Sequence, residues 1–310
     1  MKRISIVLPV FNEEKSLEEL MSRLRQMADK EMNYEFEFIF INDGSRDKSL
    51  EKLYNYSIND KRIKVIDFSR NFGHQPAVSA GIEHALGEAI IIMDSDLQDP
   101  PEFISSLLKK WEEGFEVVYA VRKKRKENIL KRVCYNLFYL ILNKISTVYI
   151  PRDSGDFSLI DKKVVKEMIT LKERIKFIRG IRAWVGFRQI GLEYERDARF
   201  AGETSYNFRA LIRIALDAIF SFSFLPLKLP FYVGFFGLFM SLVIIVYLII
   251  MYFFTGFLFE NKWVYVIAAT FIMLNLNFFF LGIFAIYFSR LIDEVKERPL
   301  YIINKKINFD

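Results

Sequence analysis

Apolar runs that end in short polar clusters recur along the first hundred residues of the chain. The strand-like runs are residues 4–10, 36–41, 64–68 and 90–93. Helical spacing of apolar residues follows the first three, at residues 17–27, 48–56 and 77–86. Strands that alternate with helices predict βαβ units with right-handed crossovers, and therefore a doubly wound α/β fold. Because ligands bind beyond the carboxyl ends of strands in such sheets, the polar clusters form the candidate site.

The fourth run ends in two carboxylates, Asp94 and Asp96, followed by a proline-bounded turn at residues 97–101. Mg²⁺ and Mn²⁺ are commonly held by one or two carboxylates together with substrate phosphate oxygens. The pattern therefore indicates a metal that holds a diphosphate. A solvated acidic loop has the same pattern, since two aspartates at this spacing are common by chance.

Several motifs together resemble those of family 2 glycosyltransferases with the GT-A fold. They are residues 9–14 (Pro-Val-Phe-Asn-Glu-Glu), 42–45 (Asn-Asp-Gly-Ser), 69–73 (Ser-Arg-Asn-Phe-Gly) and 94–96 (Asp-Ser-Asp). Residues 97–102 and the Ser-Gly-Asp-Phe of 154–157 resemble the polyprenyl-phosphate glycosyltransferases, the dolichol-phosphate mannose synthase branch. Within that branch the chain is most similar to bacterial and phage bactoprenol glucosyltransferases of O-antigen modification. Residues 184–189 and 219–228 extend the resemblance over nearly the whole chain.

The resemblance implies the substrates and the residues that bind them. The donor would be a UDP-hexose and the acceptor a polyprenyl phosphate (undecaprenyl phosphate), with inversion in one displacement. The nucleotide-sugar-binding positions are Pro9, Asn12, Glu13, Asn42, Asp43, Arg70, Asp94 and Ser95. Mg²⁺ or Mn²⁺ would be bound by Asp94 and Asp96, with Gln98 as a further candidate ligand. Many relatives carry paired aspartates where this chain has Asn42 and Asp43, so the side chain that meets the base is open.

The acceptor side of the implied site combines one aspartate with cations. Asp156 occupies the family's catalytic aspartate position, where it would accept a proton or orient the acceptor. Arg122, Arg199 and Ser205 are the candidates for binding the acceptor phosphate and the diphosphate. The planar guanidinium of arginine suits phosphate because it can donate two hydrogen bonds. Either arginine could instead be a surface residue.

Composition points to a membrane-bound enzyme. Hydrophobic residues make up 52% of the 310, and phenylalanine alone numbers 32. Residues 229–259 and 263–289 contain no charged side chain, and about 20 apolar residues suffice to span a bilayer. We therefore predict a catalytic domain at 1–228, a transmembrane hairpin within 229–290 (helices at about 230–256 and 263–289) and a cytoplasmic tail at 291–310.

Charge patterning predicts how the chain meets the membrane. Basic and apolar residues mix at about 127–147 and 206–224, which favours helices lying in the headgroup plane. Positive charges flank the hairpin on one side and predict that both termini lie in the cytoplasm. The resemblance implies the inner membrane of a bacterium. No signal peptide is evident, and the single cysteine, Cys134, fits a reducing compartment. We expect a homo-oligomer that binds the lipid bilayer. We expect no binding to nucleic acid, although the pI of about 9.1 is basic.

Rival functions lack their motifs. A dinucleotide-dependent oxidoreductase needs a glycine-rich turn after the first strand, and residues 9–14 contain no glycine. A processive polysaccharide synthase would carry Gln-x-x-Arg-Trp, to which residues 182–184 are the nearest match. A non-catalytic membrane scaffold is disfavoured because the three aspartates of the implied site are intact. Neither His74 nor His84 has zinc-site spacing. Glucose is the favoured sugar; mannose, N-acetylglucosamine and an aminopentose stay open.

Overall fold

A computed structural model describes residues 1–123, 154–171, 177–195 and 262–309, together with isolated positions between 230 and 250. The chain divides into two compact units, Met1–Ala218 with Pro299–Asp310, and Ile219–Arg298. Three expectations fall outside the described residues: the interfacial helices at 127–147 and 206–224, and most of the predicted membrane helix at 230–256.

The first unit is built on an eight-stranded mixed sheet with the order β7-β5-β6-β4-β1-β2-β3-β8. Its strands are β1 (Lys2–Val10), β2 (Tyr34–Asn42), β3 (Ile63–Phe68), β4 (Ala89–Ile92), β5 (Val117–Arg122), β6 (Ser154–Asp161), β7 (Gln189–Tyr194) and β8 (Ile303–Ile307). The pairs β1–β2, β1–β4, β2–β3 and β5–β7 are parallel. The pairs β4–β6, β5–β6 and β3–β8 are antiparallel. The predicted α/β fold class is confirmed.

Helices connect and cover these strands. They are α1 (Leu17–Lys30), α2 (Ser49–Asn59), α3 (His74–His84), α4 (Ile104–Glu112), α5 (Lys162–Thr170) and α6 (Ile178–Trp184). A short 3₁₀ turn, Pro101–Phe103, precedes α4. The second unit contributes α7 (Lys262–Val295). The predicted helix at 77–86 begins three residues earlier than expected, which brings His74 to its first turn.

Both faces of the sheet are covered, as the nearly continuous apolar runs of β1 to β4 require. Ile4, Ile6 and Leu8 pack on one face in a cluster that includes the buried side of α1. Val7 points to the other face, where it joins the buried residues of α3. Each fully buried leucine or isoleucine contributes about 2 kcal/mol of burial free energy, so this alternation determines which helix lies on which face.

The C-terminal residues, predicted as a cytoplasmic tail, contain a strand of the sheet. Strand β8 pairs antiparallel with β3 at the edge of the sheet, so residues 299–310 belong to the first unit. The sequence of β8 is Ile-Asn-Lys-Lys-Ile. This segment is too short and too polar to predict a strand from the sequence alone.

The predicted transmembrane hairpin is not supported by the structure. Within its described residues, no helix was found that is long and apolar enough to cross a membrane.

Candidate active site

The carboxyl ends of β1, β2, β3 and β4 lie at one edge of the sheet because these strands are parallel. The loops that follow them bind to one another. The Asn12 N–H donates to Ser45 Oγ at 3.0 Å, and Asn12 Oδ1 accepts the Arg46 N–H at 2.8 Å. The buried Ser95 donates from Oγ to the Pro9 carbonyl at 2.7 Å. The structure therefore brings together the candidates Pro9, Asn12 and Ser95.

The loop after β1 is held by the first residue of α2 and by a side chain of its own. The Glu13 N–H donates to Ser49 Oγ at 2.9 Å, and Ser16 Oγ donates to Glu13 Oε2 at 2.8 Å. Asn12 has a φ of 56°, a left-handed conformation that asparagine tolerates better than most residues. Asn12 therefore both adopts the backbone conformation that the turn requires and makes hydrogen bonds to the loop after β2.

Asn42 and Asp43 are both buried and both serve the neighbouring loops. Asn42 Nδ2 donates to Asp67 Oδ1 at 2.7 Å, and Asn42 Oδ1 accepts the Ser45 N–H at 3.3 Å. The Asp43 carboxylate accepts the N–H groups of Phe72 and Gly73 at 2.6 and 2.9 Å. Burial raises the pKa of Asp43, although these two hydrogen bonds oppose the shift. The side chains at this position thus hold the β2 and β3 loops together.

Gly44 allows these two loops to touch. Its φ is 66°, and a Cβ there would lie 2.6 Å from both Arg70 C and Asn71 N. Since those atoms are backbone, any side chain would force the loops apart. Beside this contact the exposed Arg70 donates to the Asn71 carbonyl at 3.0 Å and stacks at 3.9 Å over the Phe72 ring.

The loop after β4 carries the predicted metal ligands. Asp96 Oδ1 accepts the Gln98 N–H at 3.1 Å, and Leu97 has a φ of 60°. The buried Asp99 accepts a hydrogen bond of 2.5 Å from Tyr194 OH, which ties the loop to β7. Among the described residues there is no cluster of three or more His, Cys, Asp or Glu arranged to hold a metal ion. Two carboxylates at a strand end nevertheless fit a hard divalent ion whose remaining ligands are diphosphate oxygens and water.

Strand β6 brings Asp156 to the same edge. Because β6 runs antiparallel to β4, with Ser158 opposite Ile92, the start of β6 lies beside the end of β4. Asp156 is buried there, and Arg179 of α6 donates to its two oxygens at 2.7 and 3.1 Å. Burial opposes ionisation of Asp156, but Arg179, with His74 and Arg182, holds its pKa well below the usual range.

His74 lies between the two predicted acidic sites. Its Nε2 is 2.9 Å from Asp94 Oδ1, and its Nδ1 is 3.9 Å from Asp156 Oδ2. Burial would lower the pKa of His74, yet the hydrogen bond and charge of Asp94, with the charge of Asp156, raise it to about 9. At neutral pH the imidazole is therefore cationic and links Asp94 to Asp156.

Two further arginines surround residues 155 and 156. Arg182 is almost fully buried, donates to the Gly155 carbonyl at 3.4 Å and lies 5.1 Å from the Tyr119 ring. Burial lowers the pKa of Arg182 to about 10, and Asp156 opposes that shift. The predicted Arg122 lies close by, since a Cβ on Gly155 would be 3.5 Å from its Nη2. The buried Nε of Arg122 has no hydrogen-bond partner within the described part of the chain, which suits an anion.

Sequence reasoning missed His74, Arg179 and Arg182. The only sequence signal for His74 is its position directly after the loop of β3. Arg179 belongs to no predicted motif, and Arg182 entered only as part of an incomplete match to Gln-x-x-Arg-Trp. Of the predicted residues, Arg199 and Ser205 lie outside the described residues.

A family model covers more than half of the chain. Residues 5–169 match the model described as glycosyl transferase family 2. The chain belongs to this family. The predicted family resemblance is therefore confirmed, and the mixed α/β sheet is the one expected for its GT-A members.

The relatives of this transferase cover nearly its whole length. It is 43% identical over 99% of its chain to an uncharacterized glycosyltransferase, YkcC, of Bacillus subtilis, of which 94% is covered. It is 37% identical to the bactoprenol glucosyl transferase of Shigella phage SfII, with 98% of both chains covered. Glucosyl-3-phosphoglycerate synthase from Mycobacterium tuberculosis, solved with Mn²⁺, UDP and phosphoglyceric acid, aligns over 70% of this chain and 76% of that one. The two chains are 16% identical, with a TM-score of 0.47. The protein is a glycosyltransferase.

Proposed function

We propose that this transferase moves a hexose from a UDP-sugar, with glucose as the favoured sugar, to the phosphate of a polyprenyl phosphate such as undecaprenyl phosphate. The observation that carries the proposal is the contact of His74 with Asp94 on one side and its approach to Asp156 on the other. It places the acids expected for the donor and acceptor in one charged cluster. The similarity to bactoprenol glucosyl transferases favours the lipid phosphate and glucose.

The donor half of the proposed site is the group of loops after β1, β2 and β3. Asn12, Asp43 and Arg70 stand there on loops that hydrogen bonds and the close approach at Gly44 keep together. A preorganised set of loops loses little entropy when the nucleotide binds. We therefore assign the nucleotide to this edge of the sheet.

We propose that a divalent ion, Mg²⁺ or Mn²⁺, lies next to the nucleotide. Asp94 and Asp96 would bind it, and Gln98 is a further candidate ligand. The chemistry supplied by such an ion is neutralisation of the charge that develops on the departing diphosphate. His74 orients the Asp94 carboxylate by its 2.9 Å contact.

The acceptor half is assigned to Arg122, Arg179 and Asp156. A phosphate monoester has its second pKa near 6, so at neutral pH it is already mostly dianionic and needs little help from a base. Asp156 is a weak base because Arg179 holds its pKa low. We therefore propose that Asp156 orients Arg179, and that Arg179 and Arg122 hold the acceptor phosphate for a single displacement that inverts the anomeric centre.

The reaction is proposed to take place at the cytoplasmic face of the bacterial inner membrane, to supply a cell-envelope glycan such as O-antigen. A lipid acceptor requires contact with a bilayer. Helix α7 exposes Phe278, Leu281, Phe284 and Phe288, and exposed apolar side chains grouped in this way are typical of membrane or partner contacts. The homo-oligomer expected from sequence stays a prediction.

The decisive experiment incubates the purified full-length protein with undecaprenyl phosphate, Mn²⁺ and single nucleotide sugars, and identifies the lipid product by mass. The panel contains UDP-glucose, GDP-mannose, UDP-N-acetylglucosamine and a UDP-aminopentose. We expect a glucosyl phosphate lipid, with a β anomer by NMR. A different sugar in the product would correct the donor only. Hydrolysis without lipid product across the panel, from protein that is folded and lipid-reconstituted, would contradict the acceptor assignment.

A further inference from the structure

We propose that the C-terminal strand β8, through Asn304 and the preceding Tyr301, positions the nucleotide half of the donor site. This inference rests on the proposed assignment of the nucleotide to the loops after β1, β2 and β3. It gives a binding role to the end of the chain, which the sequence marked only as a tail. Two separate series of contacts lead from β8 to those loops.

The first series begins at an irregularity in the β3–β8 pairing. Asp67 pairs with Lys305 and Phe68 pairs with Ile303, so Asn304 is the extra residue of a bulge. Bulges redirect a side chain out of the regular alternation of a strand. Here the redirected amide of Asn304 donates from Nδ2 to Asp67 Oδ2 at 2.8 Å.

Asp67 connects Asn304 with the nucleotide loops, because its carboxylate accepts hydrogen bonds from both Asn304 and Asn42. It is buried, and its other oxygen, Oδ1, accepts the hydrogen bond of 2.7 Å from Asn42 Nδ2. Asn42 in turn accepts the Ser45 N–H, and Ser45 Oγ accepts the Asn12 N–H. A continuous series of hydrogen bonds therefore connects Asn304 with Asn12. Removal of the Asn304 amide would leave one oxygen of a buried carboxylate without this donor, and such a loss has a cost that neighbouring bonds transmit.

The second series consists of stacked rings. Tyr301 stacks on Phe68 with centroids 5.0 Å apart and planes 11° apart. Phe68 meets Phe72 edge to face at 5.7 Å, and the Arg70 guanidinium lies over Phe72. The Tyr301 hydroxyl donates to Glu83 at 2.5 Å, which holds the ring in place. The Ser69 N–H also donates to the Ile302 carbonyl at 3.0 Å, so the residues before β8 support the loop that carries Arg70.

The test compares Asn304→Ala and Asn304→Asp with Asn308→Gly in the full-length protein. Asn308 offers a matched control because it directly follows β8, at the opposite end of the strand from Tyr301. Its amide donates to the Ser57 carbonyl of α2 and the Ile63 carbonyl of β3 at 2.9 and 2.8 Å. Glycine suits its φ of 61°. The measurements are the Kd for UDP by calorimetry, KM and kcat for UDP-glucose, and the unfolding temperature.

We expect Asn304→Ala to raise the Kd for UDP and the KM for UDP-glucose about fivefold, as for one lost hydrogen bond to a buried charge, with kcat within about twofold. Asn304→Asp should weaken UDP binding more, because it sets a carboxylate against Asp67. Asn308→Gly should lower the unfolding temperature without changing the Kd. Unchanged UDP affinity in both Asn304 variants would overturn the proposal.

Hydrogen exchange of the unaltered protein covers the case in which an Asn304 variant does not fold. Saturating UDP should slow amide exchange at residues 301–307, since binding and the seating of β8 support each other. Unchanged exchange there, in protein that binds UDP, would equally refute the role of β8. If the wild-type protein bound no nucleoside diphosphate, the proposed function itself would fail, and this outcome is distinct from a strand that has no effect on binding.

Discussion

The amino and carboxyl ends of the parallel strands both contain buried carboxylates, but the partners of these carboxylates differ between the two ends. At the amino end, Glu37 pairs with Lys64 at 2.8 Å, and it also accepts hydrogen bonds from Ser5 Oγ and the Leu86 N–H. At the carboxyl end, the buried Asp156 and the partly exposed Asp94 lie beside His74, Arg179 and Arg182. These charged groups come from separate loops and helices and shift the pKa of His74 and Asp156, which is typical of functional sites.

The two ends also differ in how many elements their hydrogen bonds connect. The Glu37 network connects residues within the sheet and its incoming loops. The carboxyl-end network connects four successive loops with β6 and α6, so one displaced loop moves several others. We therefore expect substitutions at the carboxyl end to affect catalysis, and substitutions at the amino end to affect stability alone.

The largest effect is expected at the proposed metal site. Asp94→Asn and Asp96→Asn keep the size of the side chain but remove the charge that binds the ion, so turnover should fall about 1,000-fold, which corresponds to about 4 kcal/mol. The assay is Mn²⁺-dependent transfer to undecaprenyl phosphate, with Mn²⁺ affinity in the presence of UDP measured by calorimetry. Asp60→Asn, a carboxylate paired with Arg62 just before β3, is the control and should retain activity. Full activity of either site variant at limiting Mn²⁺ would remove the metal assignment.

The second prediction concerns the pair formed by Asp156 and Arg179. Asp156→Asn and Arg179→Gln should each lower kcat about 100-fold, and the double variant should be no worse than about 100-fold, because residues that act as a unit are not additive. The Kd for UDP should stay within about twofold, since other loops hold the donor. Arg23→Gln breaks a surface pair with Glu102 and serves as the control.

Two results would contradict this role of the pair. Additive losses of about 10,000-fold in the double variant would show that Asp156 and Arg179 act independently. Loss of UDP binding in Asp156→Asn would instead place that residue in the donor site.

A smaller effect is expected from Gly44→Ala. The new Cβ would clash with backbone at 2.6 Å and should separate the loops after β2 and β3, weakening UDP binding about tenfold and lowering stability by about 2 kcal/mol. Gly114→Ala at the amino end is the matched control. It has a φ of 90°, but its Cβ would meet only the end of the Arg188 side chain at 3.5 Å. It should cost about 1 kcal/mol through strain alone and leave the Kd for UDP unchanged. Equal UDP affinities in the two variants would show that the loop contact at Gly44 is dispensable.

The smallest effect on activity belongs to Glu37→Gln at the amino end. The hydrogen bonds of Lys64, Ser5 and the Leu86 N–H outweigh the burial of Glu37 and lower its pKa below the ordinary 4.5. A lowered pKa stabilises the fold at every pH above the unfolded value, and this stabilisation is lost as pH falls through the folded value. Glu37→Gln should therefore cost about 2 kcal/mol at pH 7 and progressively less below pH 4.5.

Denaturant unfolding at several pH values checks this prediction. The exposed Glu35, paired with Arg3, supplies the control variant Glu35→Gln, which should change stability little at any pH. A Glu37→Gln deficit that persists unchanged at pH 3 would show that the Glu37 charge does not stabilise the fold. Its kcat should match that of the unaltered protein, because the variant lies at the opposite end of the sheet from the site.

Local patterns in the sequence were sufficient for the strands β1 to β4, the helices between them, and the polar clusters at the strand ends. Apolar periodicity and turn residues act over a few positions, and the parallel arrangement follows from alternation of strands and helices. The strand-end pattern alone indicated Asp94, whereas Asn12, Asp43 and Asp156 were implied by the resemblance to the family. The sequence did not indicate which residues each of them contacts.

Only the tertiary structure decided which charges meet. His74, Arg179 and Arg182 reach Asp94, Gly155 and Asp156 because β6 runs antiparallel to β4, a pairing of segments more than 60 residues apart. The joining of Asn304 to Asp67 spans 237 residues. Periodicity carries no information about such separations. The short polar strand β8 becomes a strand because β3 offers it an unpaired edge, and the composition of β8 does not by itself favour one.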